Sequence, residues 1–173
     1  MARSPLTRTT AGAARARQLR RGLRLEYLTL AWNVVGAGVL LAAAVVAGSV
    51  ALTGFGVDSL IEIGASVVVV WHLRQVTPAG ERLALRLIGV AFVFLGVYLA
   101  VQGGYALATH AQPATSPVGM GWLAATVLVM VALAAGKART GTALGNAVLR
   151  AEARVTMVDA ALYLLVRLMS TAS

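Results

Sequence analysis

Residues 50–71 read VALTGFGVDSLIEIGASVVVVW, an apolar run interrupted by two acids, Asp58 and Glu62. A spacing of four residues is just over one helical turn, so both carboxylates share one helix face. A charge at mid-bilayer depth costs roughly 2.5–3.5 kcal/mol on insertion scales. Two such costs side by side ask for a cation to offset them. The stretch therefore predicts a membrane-spanning helix that carries a buried acidic site.

The rest of the chain fits that setting. It is 59% hydrophobic and only 12% charged, with a mean hydropathy of +0.81. Soluble domains carry about 25% charged residues. Long apolar runs of this kind favour helices over barrel strands. The expected fold is all-α: a polytopic transmembrane helix bundle with five spans, near residues 27–48, 50–72, 83–106, 118–136 and 146–169. A basic cytoplasmic tail over residues 1–25 precedes a transmembrane domain over residues 26–173. The tail is expected to be disordered to about Arg15 and then to form a short surface helix. A tight turn is expected at Gly48-Ser49, and Gly54 and Gly56 permit close helix contact just before Asp58.

Basic residues are unevenly placed. The tail holds Arg3, Arg8, Arg15, Arg17, Arg20, Arg21 and Arg24. Arg74, Arg82 and Arg86 flank the second loop, and Lys137, Arg139, Arg150 and Arg154 the fourth. The first and third loops hold none. By the positive-inside rule this alternation places the N-terminus in the cytoplasm of a multi-pass cell-membrane protein. The net charge of +9 then reflects orientation in the bilayer, with no nucleic-acid partner implied. Cysteine is absent, which excludes disulfides and thiolate ligands. No secretory signal is read, because about 25 polar and basic residues precede the first apolar run.

The six acids are Glu26, Asp58, Glu62, Glu81, Glu152 and Asp159. Glu26 and Glu81 lie at expected membrane edges, where Glu26 is solvated. Asp58 and Glu62 on the second span, and Asp159 on the antiparallel fifth, reach similar depth at about 1.5 Å per residue. Glu152 sits seven residues earlier on the face of Asp159, nearer the cytoplasm. No Lys or Arg is expected at the level of the three deep acids. Repulsion and desolvation then favour a bound proton. A divalent cation would displace that proton. Such competition is the physics of a metal/proton exchanger. Asn33 either bonds a neighbouring helix or lends an oxygen to the site. His72, beside Trp71, reads as interfacial, and His110 as an outer-loop residue without a second ligand. Lys137 to Gly145 reads as a basic loop. No nucleophile–base arrangement, phosphate loop or HExxH motif occurs, so no enzyme activity and no organic cofactor are expected.

Two segments, residues 49–62 and 147–159, resemble the second and fifth helices of the cation diffusion facilitator family in a short, domainless form. The likeness covers about residues 25–165. It implies a dimeric bundle exporting Zn2+ or a similar divalent ion against protons. Asp58 and Glu62 match the pair on the family's second helix, and Asp159 one of the pair on its fifth. The remaining position falls on Val155, which cannot ligate, so Glu152, Asn33 or water would complete the shell. An all-oxygen site leaves room for Mn2+ beside Zn2+. The family's cytoplasmic metal-binding domain, His-rich loop and sixth span are not read in this sequence. The expectation is a divalent-cation transporter with metal ligands Asp58, Glu62, Asp159 and Glu152. Its expected partners are the metal ion, protons, the lipid bilayer and a second copy of the chain. The alternative is a non-transporting membrane protein, a degenerate copy or assembly partner, whose acids are structural and protonated. A drug/proton antiporter fits less well, since aromatics are sparse and the acids clustered.

Overall fold

Glycines in the left-handed backbone region mark two of the places where the chain reverses. Gly48 has φ +60° and Gly145 φ +65°, a conformation that residues with a Cβ rarely adopt. A computed structural model describes residues 5–75, 77–108 and 117–171, with side-chain surroundings within residues 12–161. All regular structure among the described residues is helical: α1 (Pro5–Ala47), α2 (Val50–Arg74), α3 (Pro78–Ala108), α4 (Pro117–Leu144) and α5 (Ala147–Thr171).

Local chemistry sets the helix starts. Ser49 has extended backbone, and its hydroxyl accepts from the Leu52 amide at 3.4 Å, capping α2. Thr77 does the same for the Gly80 amide at 3.1 Å, with Pro78 at the first helical position of α3. Asn146 opens α5 by accepting from the Leu149 amide at 2.9 Å. The turn expected at Gly48-Ser49 is thus present, but two expected loops are shorter than expected. The segment from Lys137 continues as helix to Leu144, leaving only Gly145-Asn146 as the α4–α5 connection. The loop expected over residues 73–81 contracts to residues 75–77. The tail expected to be disordered to Arg15 is helical from Pro5. Alanine and arginine are strong helix formers, so the run extends α1 without a break.

Four helical stretches are long and apolar enough to cross a membrane: Gly12–Ala47, Leu52–Arg74, Pro78–Gln102 and Pro117–Leu144. Over its described residues α5 is not among them, because Arg150, Glu152, Arg154 and Asp159 interrupt its apolar face. At about 1.5 Å per residue, 43 residues make α1 about twice as long as a bilayer core is thick. Its arginine-bearing half therefore projects beyond the apolar zone.

The helices close into a ring in the order α1, α2, α3, α5, α4, and α2 also touches α5 across it. At the Gly48 end, Leu40, Ala43, Ala44, Leu52 and Leu123 pack together. At the arginine-bearing end, Ala65, Val69, Leu73, Ala84, Ile88, Val148 and Leu149 pack, with Leu19 and Leu23 of α1 against them. Trp32 and Trp122 stack with ring centroids 4.8 Å apart, and Trp32 Nε1 donates to Thr126 Oγ1 at 3.1 Å, fixing α1 against α4. Gly56 allows the close α1–α2 approach read from the sequence, since a Cβ there would lie 2.6 Å from Leu41 Cδ2. Between these two clusters Met130, Leu133 and Ala160 pack together, and buried polar residues share the interior with them.

Candidate functional site

Among the described residues, α1, α2, α4 and α5 contribute buried polar residues to that interior, and α3 none. Glu26, Thr29 and Asn33 stand three and four residues apart on α1, and all are buried. On α2 the buried acids Asp58 and Glu62 are followed toward the arginine end by Ser66 and His72. On α5 the stripe is Asn146, Glu152, Thr156 and Asp159, and α4 adds Thr126, Lys137 and Thr140. The result is a buried polar column running along the bundle.

Its upper part, toward Gly48, holds the three expected deep acids. Asp58, Glu62 and Asp159 are only 3%, 4% and 5% exposed. Glu62 lies within electrostatic range of Asp58 and Asp159. Asp159 interacts with both Asp58 and Glu62. The antiparallel run of α2 and α5 thus brings these acids together. Asn33 Nδ2 donates to Glu62 Oε2 at 2.7 Å, tying α1 to α2 and orienting the carboxylate. Glu62 Oε1 and Asp159 Oδ2 are buried with no hydrogen-bond partner among the described residues. Also among the described residues, no three His, Asp or Glu side chains are disposed to hold a metal ion as they stand. The acids form a loose cup without a closed coordination shell. Asp159 also borders a groove of about 320 Å³ between α3 and α5, lined by Phe92, Leu95, Leu99, Val155 and Val158. Val155 therefore faces this apolar groove, as a side chain without ligating atoms can.

The lower part differs from expectation. Lys137 is fully buried, and its ammonium is ion-paired with Glu152 and, at 3.2 Å, with Glu26 Oε2. Glu26 is not solvated at a membrane edge. It is 0% exposed, because α1 continues past it and α4 covers it. Lys137 is not a loop residue, because α4 runs on for two further turns. Glu152 is held by Lys137 rather than by the upper acids, and Thr156 Oγ1 lies 3.5 Å from the same Glu152 oxygen. His72 is not interfacial either. It is fully buried, with Nε2 3.2 Å from Asn146 Nδ2, which joins α2 to α5 at the end of the column. His110 lies outside the described residues, as does the side chain of Arg167.

The lower cluster left a sequence signal that loop assignment obscures. Lys137 is the only lysine among the 15 basic residues of this chain. Arginines suffice at every edge here, so a lone flexible ammonium directly after an apolar run marks a different task. Glu26 and Asn33 are seven residues apart, hence on one face of α1. No family model, no curated protein and no solved structure matches this chain.

Proposed function

We propose that this chain carries a divalent cation, Zn2+ or a harder ion such as Mn2+, across the cell membrane in exchange for protons. The observation that carries the reading is the upper cluster. Carboxylate oxygens from antiparallel α2 and α5 converge in the bundle interior, and Glu62 Oε1 and Asp159 Oδ2 have no donor there among the described residues. An unsatisfied buried acceptor costs about 1–3 kcal/mol, more when charged. Interacting buried carboxyl groups either retain a proton or hold a cation between them. Asp58, Glu62 and Asp159 would supply the ligand oxygens, with Asn33 orienting Glu62. Tightening the loose cup requires α5 to approach α2, and the groove beside Asp159 gives α5 room to shift against α3. Proton loss on metal binding and proton gain on release would couple the two fluxes. In this reading the chain spans the membrane five times as a homodimer, with its arginine-bearing end cytoplasmic.

The alternative, structural acids in a protein that transports nothing, is favoured by the Asn33–Glu62 hydrogen bond and the Asp159–Glu62 interaction. Both can persist with the acids protonated. Reconstitution separates the two. Saturable Mn2+ or Zn2+ uptake into proteoliposomes, coupled to proton efflux and lost in Asp58→Asn and Asp159→Asn, supports transport. Well-folded protein that neither binds nor moves either ion supports the alternative.

A further inference from the structure

Lys137 and its two carboxylates lie outside the upper cluster yet in the same column. The ammonium has three donors. Two carboxylates hold it, one from α1 and one from α5, while its own backbone belongs to α4. None of the three side chains is more than 4% exposed. Glu152 Oε2 remains buried with no hydrogen-bond partner among the described residues, as does His72 Nδ1 at the end of the column. Glu152 also lies within electrostatic range of both Glu62 and Asp159, so the two clusters sense each other's charge. A surface salt bridge of arginine type would not need this arrangement. The lysine stem brings a compact cation, on four flexible carbons, to the two carboxylates.

We propose that Glu26 and Glu152 form a second cation site whose resident ion is the tethered ammonium of Lys137, and that this ammonium plugs the arginine-bearing half of the polar column. A free cation reaching the upper acids from that end must pass Glu152, and it meets an oxygen pair already neutralised by Lys137. Passage requires the lysine to swing aside and release one carboxylate. Thr156, between Glu152 and Asp159 on α5, supplies the next polar atom on the path. The plugging role rests on the column being a cation route. Occupation of the site by Lys137 does not.

The test is Mn2+ binding to the full chain in detergent, read by electron paramagnetic resonance. Lys137→Ala should bind one more Mn2+ per chain than the unmodified protein. The increment should disappear in Lys137→Ala/Glu152→Gln. It should persist in Lys137→Ala/Asp58→Asn/Asp159→Asn, where the upper cluster is disabled. Lys137→Arg should bind as the unmodified protein does. Mn2+ should also raise the melting temperature of Lys137→Ala more than that of the unmodified chain, since the free ion replaces the lost ammonium. A folded Lys137→Ala without the extra ion overturns the proposal. A Lys137→Ala that cannot be recovered even in Mn2+ overturns it equally, because a free cation then cannot stand in for the ammonium. If the increment appears while the upper acids bind nothing, the transport reading fails and the second site stands. If the upper acids bind Mn2+ and Lys137→Ala adds none, the reverse holds.

Discussion

Asn33 shows how one side chain decides the state of the upper cluster. Its amide is the donor to Glu62 Oε2 at 2.7 Å, deep between α1 and α2. Asn33→Ala leaves that oxygen buried without its partner and is expected to destabilise the chain by about 1–3 kcal/mol, seen as a lower melting temperature in detergent. Asn33→Leu should behave alike, whereas Asn33→Gln should recover part of the loss if its longer amide still reaches. Proton and cation compete for the same oxygens in the proposed site. Apparent Mn2+ affinity at the upper acids should therefore fall as pH falls, because the ligating form is the deprotonated one. A binding isotherm that does not move with pH would count against the shared-site reading. Lys137 illustrates the opposite case, a charge balanced within the protein. Removing one partner of a buried pair typically costs about 3–5 kcal/mol, because the other charge is left uncompensated. Glu152→Gln is thus expected to be more destabilising than a neutralisation at exposed Arg150 or Arg154, which should change the melting temperature little.

Among the elements, α1 and α2 hold the bundle together through a contact that depends on glycine. Gly56→Leu would force Leu41 aside, since even a Cβ would lie 2.6 Å from Leu41 Cδ2. Overpacking of this kind costs about 1–3 kcal/mol, and it would move Asp58, two residues on, away from α1. Gly64, in the same helix, has nothing within 4 Å of an added Cβ. Gly64→Ala should be neutral or stabilising by up to about 1 kcal/mol through helix propensity. Comparing melts of the two variants separates packing at the α1–α2 contact from propensity. The Gly56 contact was legible in the sequence as a small-residue approach before an acid. The length of α4 was not. Its C-terminal part, from Lys137 to Leu144, is too polar to read as a membrane segment, and only burial against α1 and α5 explains why it stays helical.

At the scale of the molecule, the described basic side chains lie toward one end of the ring, and apolar clusters pack at both ends of the polar column. The chain contains no cysteine, so single cysteines report topology without a background. Gln75→Cys and Thr142→Cys, both exposed, should react with an impermeant maleimide from the cytoplasmic side of inverted vesicles. Val118→Cys, exposed at the start of α4, should react only from the opposite side. Labelling of all three from one side would exclude the proposed orientation.

The sequence alone determined the all-helical class of the molecule and the identity of the acids buried between α2 and α5. Apolar run lengths suit helices long enough to cross a bilayer, and a four-residue spacing puts Asp58 and Glu62 on one face whatever they pack against. It also determined the turn at Gly48-Ser49, where local backbone chemistry is sufficient. Only the tertiary structure decided that Glu26 and Lys137 are interior residues. Their burial depends on α4 outlasting its apolar run and on α1, α4 and α5 meeting at one level, relations between distant segments that no local pattern encodes.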